Sequence, residues 1–325
     1  RQDASPLRMN GRTTVLGPDG TDRIARVFQI LFAPVLLVPI LVAVVLAHGW
    51  LYFAHGLGDA VREVLYAPGL LLALVGVMFV SGIFHEFGHA AALRYGGGRA
   101  RGMGFGLYLV YPALYTDTTD SYRLGRWARV RTDLGGFYFH LIFGVGLMYL
   151  SLLTGWEWLL VAVLLINLDM VYQCMPFVRF DGYWALADLT GIPDFFSQMG
   201  AFLRSVLPLP RWEGTRLPDL KPWVKVVFAT YVLVTVPVLA LLLFNLIRRL
   251  PVTTEIAWDS LNIQAAQFSL ALDHGDPVGA ALSVAQMLIL GLQMLGISYL
   301  LYRLGRMVVR MILRRAARSS ADEGV

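Results

Sequence analysis

The strongest chemical signal lies within one helical turn. The stretch GIFHEFGHAAALRYGG contains His85, Glu86 and His89 in the spacing His-Glu-x-x-His. Residues four apart on a helix share a face. Two imidazoles so placed can hold one zinc ion, and the glutamate between them can act as general base toward a zinc-bound water. The pattern is rarely accidental: six histidines among 325 residues, with glutamate equally scarce, produce it by chance in roughly one such chain in 500. The chemistry it points to is metal-assisted hydrolysis.

A catalytic zinc takes three protein ligands and leaves one position open. The third must come from elsewhere, and His140, Asp169, Cys174, Asp181 and Asp188 are the available donors. Cys174 is the only cysteine, which excludes an internal disulfide and a cysteine-built zinc finger. Choosing among the donors requires the elements that carry them.

Those elements are apolar. Hydrophobic residues make up 57% of the chain and charged ones only 15%, against about 45–50% and about 25% in soluble domains. Crossing a bilayer takes about 20 mostly apolar residues, and six stretches qualify: 27–51, 69–93, 134–153, 158–174, 224–247 and 280–302. The fold class expected is an all-α polytopic membrane protein of about six transmembrane helices. A glycine-rich and then aromatic segment, 96–115, reads as a short β-hairpin or re-entrant piece after the second helix. Residues 181–207 read as one or two surface helices broken at Gly191 and Pro193. Buried ionisable groups in a span are costly without a function or a partner, and two histidines and a glutamate in one turn need a common partner.

Loop charge sets orientation, because arginine and lysine stay on the cytoplasmic side. Arg8, Arg12, Arg23 and Arg26 precede the first span. Arg94, Arg99, Arg101, Arg123, Arg126, Arg129 and Arg131 follow the second, and a basic tail follows the last. The intervening loops carry Asp59, Glu63, Glu157, Glu255, Asp259, Asp273 and Asp276. The alternation places both termini in the cytoplasm. Residues 1–26 form a cytoplasmic segment without the features of a secretory signal, 27–310 a single membrane-embedded domain, and 311–325 a basic cytoplasmic tail. The net charge of +5 is read as contact with anionic headgroups, not with nucleic acid. In this topology the second span runs inward, so His85 and His89 lie near its cytoplasmic end. The fourth also runs inward and delivers Asp181 to the same depth. Asp181 is therefore the expected third ligand, Gly182 beside it allowing the turn that aims the carboxylate back, with Cys174 next in line.

Taken together, the His85–His89 motif and the segment Pro176-Phe177-Val178-Arg179-Phe180-Asp181-Gly182-Tyr183-Trp184 resemble the site-2 protease family of intramembrane zinc metalloproteases. The likeness is strongest to its bacterial branch of peptide zinc metalloproteases. Pro112-Ala113-Leu114-Tyr115-Thr116-Asp117 and the following Asp120 share that pattern. The resemblance covers residues 69–193. It implies His85, His89 and Asp181 as ligands of one zinc, Glu86 as general base, and a multi-pass location in a bacterial cytoplasmic membrane. It also implies a membrane-inserted or membrane-delivered peptide, or a membrane protein, as substrate. Two asparagines of the family pattern are replaced here, by His140 and Met175; His140 and Asp117 are the candidate substrate contacts. The rival readings are a metal-binding transporter or peptide-maturation partner that cleaves nothing, and a metal-dependent enzyme acting on prenyl or lipid bonds.

Overall fold

The computed structural model describes residues 10–67, 69–108, 111–174, 179–192, 198 and 222–322. Among the described residues the regular elements are helices and one three-stranded sheet. In order the helices are α1 (Pro18–Phe28), α2 (Pro34–Gly49), α3 (Gly58–Tyr66), α4 (Leu70–Tyr95), α5 (Arg126–Asp133), α6 (Gly135–Thr154), α7 (Trp158–Gln173), α8 (Asp181–Thr190), α9 (Pro222–Asp273) and α10 (Pro277–Asp322). Among the described residues, five helical segments are long and apolar enough to cross a membrane: 34–55, α4, α6, α9 and 277–303. The architecture is that of an all-α polytopic membrane protein.

Two units are distinguished among the described residues. One comprises Thr13–Phe105 and Leu114–Arg248; the other takes in Gly106–Ala113, the chain from Arg249 onward and the strand residues before Thr13. In the first unit, α4 and α6 cross at their small residues. A Cβ on Gly88 would run into the Gly135 carbonyl, and one on Gly135 would lie 2.8 Å from Ala92 Cβ. Such contacts let helix backbones approach closely where lipid gives helices little hydrophobic reason to associate. Around the crossing, Phe32, Ala91, Ala92, Tyr138 and Phe139 are buried together, with Phe28, Phe84 and Phe87 against them. A second cluster, including Leu74, Met148, Leu160, Val163 and Ile166, joins α4, α6 and α7.

The expected first span, 27–51, begins later than its hydropathy indicated. Val27 and Phe28 end α1, Gln29–Phe32 form a 3₁₀ turn, and α2 starts at Pro34. Ala33 is extended (φ −65°, ψ 134°), because the ring of a following proline disfavours the helical region. The helix then runs on through a π turn, Trp50–His55. The fourth apolar stretch is the short helix α7, 16 residues long, about 24 Å at the helical rise. The acidic stretch after the fifth span is helix as far as Asp273, inside the 52-residue α9, where a loop was expected.

Strands β1 (Asn10–Leu16), β2 (Met103–Tyr108) and β3 (Tyr111–Thr116) form a sheet in the order β1-β2-β3. The hairpin expected within 96–115 is present, and the N-terminal segment supplies a third strand. Phe105 of β2 stacks on Phe79 of α4 with ring centroids 6.1 Å apart, and the Thr116 hydroxyl of β3 donates to the Glu86 carbonyl at 3.0 Å. Helix α8 covers 181–190 of the expected surface helices. Met175, Pro176, Phe177, Val178, Pro193 and the basic residues Arg204, Arg211, Arg216 and Lys221 lie outside the described residues.

Candidate metal centre

Helix α4 presents His85 and His89 on its face toward α6, where they are 6% and 7% exposed. Asp181 is the first residue of α8, entered from an extended Phe180. Two helices far apart in sequence thus deliver three ligand atoms to one point. His85 Nε2 and His89 Nε2 are 3.0 Å apart. The Asp181 Oδ2 atom lies 2.8 Å from the first and 2.9 Å from the second. Gly182 contributes by size: it sits inside α8 without a positive φ, and a Cβ there would come within 2.7 Å of Cys174 Cα. Its role is close approach of α8 to the end of α7, not the turn expected from sequence.

The protonation pattern of this triangle tests its fit to a cation. His89 Nδ1 is 2.8 Å from the Thr132 carbonyl oxygen, which can only accept. The proton of neutral His89 is therefore on Nδ1, and Nε2 offers a lone pair. One proton on His85 Nε2 would satisfy a single edge of the triangle, whereas a cation satisfies all three corners. His85 Nδ1 is buried without a hydrogen-bond partner among the described residues. Two nitrogens and one carboxylate oxygen suit zinc, and the Thr132 carbonyl is placed as the acceptor that would orient His89 if it ligated. His85, His89 and Asp181 are a group able to hold a metal ion.

Glu86 is half-buried beside the triangle, and its carboxylate takes no hydrogen bond from a described residue. The His85 ring rests on the backbone of α6: a Cβ on Gly136 would overlap its Nε2, Cε1 and Cδ2 atoms. Behind it stands His140, 3% exposed, with ring centroids 4.4 Å apart. His140 Nδ1 meets the Ser81 hydroxyl at 2.8 Å, and its Nε2 lies 3.7 Å from Asp169 Oδ2. That carboxylate also accepts from Gln173 at 2.7 Å. His140 is thus buried beside a ligand and not displayed toward solvent.

The other donors considered from sequence are placed elsewhere. Asp188 pairs with Arg129 at 2.8 Å. Beside it, burial and the charge of Asp188 push Asp133 up to about 8. Asp117 does not join the histidines: its Oδ1 accepts from the Thr119 backbone N–H at 3.0 Å and from the Thr119 hydroxyl. Sequence reasoning missed the Thr132 carbonyl, Ser81 and Gly136. Only the last left a signal, in the small residues Gly88 and Ala92 of α4 and the pair Gly135-Gly136 of α6.

A group of two buried histidines and one partly exposed carboxylate in a polytopic helical bundle is the class of site defined here. The chain is 23% identical over 141 residues to a protein of Bacillus subtilis (strain 168) named "Putative peptide zinc metalloprotease protein YydH". The match takes in 43% of this chain and 56% of that protein, so the chain spans about half the length of this relative. No protein-family model matches the chain. No solved structure matches it.

Proposed function

We propose that the chain is an intramembrane zinc metalloprotease of the site-2 protease type, hydrolysing a peptide bond in a membrane-inserted or membrane-delivered peptide. The observation that carries this reading is the convergence of His85 Nε2, His89 Nε2 and Asp181 Oδ2 within 3.0 Å of one another, with Glu86 one residue from a ligand. The name of the Bacillus relative is in keeping with it.

His85, His89 and Asp181 would hold the ion, which supplies Lewis acidity toward the scissile carbonyl and the attacking water. Glu86 accepts a proton from that water at its carboxylate and returns it to the leaving amine nitrogen. Thr132 keeps His89 in the tautomer whose Nε2 faces the centre. The Gly136 backbone fixes the plane of His85. The apolar spans bring substrate and enzyme together within the bilayer, in a topology with both termini cytoplasmic.

Glutamine at position 86 keeps the size of the side chain and removes the base. Co-expression with peptides encoded nearby, followed by mass spectrometry, should give cleaved product with the wild type and intact precursor with Glu86→Gln. Proton transfer alone contributes about 10²–10⁴-fold. Equal processing by both would show that something else cuts the peptide, and would return the chain to the class of non-proteolytic metal binders.

A further inference from the structure

At the C-terminal end of α4 the chain leaves the bilayer through Tyr95 and a glycine-rich loop, GGGRARG. In that loop Ala100 is buried, 2% exposed, against Ala25 of α1 and Leu93 of α4. The two arginines that flank it, Arg99 and Arg101, are exposed. The loop is pinned from both sides. The Arg101 N–H donates to the Asp117 carbonyl at 3.0 Å, and the Asp117 N–H donates back to the Gly102 carbonyl at 2.9 Å. Asp120 accepts from the Arg99 backbone N–H at 3.0 Å and from the Arg123 guanidinium at 3.2 Å.

These pieces enclose a cleft of about 320 Å³ lined by Pro18, Arg99, Ala100, Arg101, Asp120 and Arg123. Three arginines and one carboxylate line it, Arg99 meeting that carboxylate through its backbone N–H. Asp120 is already engaged by Arg99 and Arg123, and the Arg99 side chain leans on Asp19 at 2.6 Å. Arg101 has no ion pair or side-chain hydrogen bond among the described residues. Pro18 is the first residue of α1, whose N-terminus has no side-chain cap and carries Asp19, the partner of Arg99, in its first turn. Just below, the Arg131 guanidinium lies over the Tyr95 ring, 4.7 Å from its centroid. Tyrosine and arginine are the residues that anchor a span at headgroup level.

We propose that this cleft binds a phosphate group, that of an anionic phospholipid headgroup in the leaflet at the C-terminal end of α4. Guanidinium forks match phosphate oxygens in pairs, and basic pockets beside spans at this depth suit phosphodiester headgroups. The loop that makes the cleft follows α4 directly and is hydrogen-bonded to the residue after β3. A bound headgroup therefore braces both the metal-bearing helix and the strand that meets Glu86. The proposal does not depend on the hydrolytic reading.

The test is thermal melting of the purified, delipidated full chain. It is titrated separately with dioctanoyl phosphatidylglycerol, with dioctanoylglycerol (which lacks the phosphate) and with inorganic phosphate. Phosphatidylglycerol should stabilise the wild type saturably. Arg101→Gln should weaken that binding about tenfold or more, the loss expected for a charge-assisted hydrogen bond to phosphate. Arg249→Gln, a charge loss on α9, should leave it unchanged. Because Arg101 is exposed and unpaired, its unliganded melting temperature should match the wild type. Saturable, Arg101-dependent binding of inorganic phosphate as tight as that of the lipid would keep the phosphate site and reassign its source to free phosphate. Absence of phosphate-dependent stabilisation in the wild type, or equal stabilisation of Arg101→Gln, would overturn the proposal.

Discussion

Two polar clusters lie back to back in the apolar bundle, and they are built on opposite principles. Around His140, donors and acceptors complement one another: the Ser81 hydroxyl meets one ring nitrogen, the Asp169 carboxylate approaches the other, and Gln173 donates to that carboxylate. Around His85 and His89, two imidazole nitrogens and a carboxylate oxygen crowd within 3.0 Å, while the His89 proton is turned away to Thr132, and a proton on His85 Nε2 would serve one edge only. Buried polar groups ordinarily satisfy one another, since each unpaired one costs about 1–3 kcal/mol. A cluster complete in itself is a scaffold. A cluster whose lone pairs can converge suits a cation, and that difference separates the candidate metal centre from the histidine behind it.

The contrast between the clusters is most vulnerable at Gly136. Valine there would drive its side chain into the His85 ring. Overpacking of this kind costs about 1–3 kcal/mol of stability, and disturbing the support of a metal ligand lowers affinity about 10–100-fold. Zinc retained after dialysis against a chelator of graded strength measures the second effect, and melting temperature the first. Unchanged zinc affinity in Gly136→Val would mean that the ring is not positioned by α6.

Legibility in the sequence tracks how local each feature is. The His85–His89 motif occupies four residues' spacing on one helix, so the pattern alone exposes it. Asp181 is 92 residues from His89, yet the expected topology, in which the second and fourth apolar stretches run inward and end at one depth, singles it out. Ser81 and His140 are a pair between helices, and nothing in either local pattern announces the other. The Thr132 contact uses a backbone carbonyl, which any residue possesses. Hydropathy located five of the six expected spans, the fourth being the shorter α7, and misplaced the start of the first, because 27–32 is as apolar as α2 itself and only Pro34 marks the break. The N-terminal strand β1 is short and pairs with β2 about 90 residues away, beyond what a polar, glycine-containing segment reveals.

Replacing His140 sharpens the contrast from the other side. Leucine would leave the Ser81 hydroxyl and the Asp169 carboxylate without their imidazole, at a cost of about 1–3 kcal/mol. Zinc content should stay at the wild-type level. Asparagine keeps a donor and an acceptor and should cost less. If His140 orients substrate, His140→Asn retains cleavage while His140→Leu loses it with zinc still bound; if Leu is harmless to cleavage, the histidine serves packing alone. Zinc loss in either variant would mean that the two clusters are one.

The smallest effect belongs to Asp117, whose carboxylate closes a turn onto Thr119 at the exposed end of β3. Asp117→Ala should cost at most about 1 kcal/mol, typical of one exposed hydrogen-bonded turn, and leave zinc content and cleavage unchanged. Loss of cleavage with normal zinc would place Asp117 at the substrate.

Elemental analysis of chains purified without chelator reads the metal centre itself. Wild type and Glu86→Gln should each carry close to one zinc per chain, because Glu86 stands beside the ion without holding it. Asp181→Ala should lose most of its zinc, because the two histidines then lack their third partner. A wild-type chain without zinc, or an Asp181→Ala chain that keeps the wild-type amount, would contradict the assignment of His85, His89 and Asp181 as the metal centre.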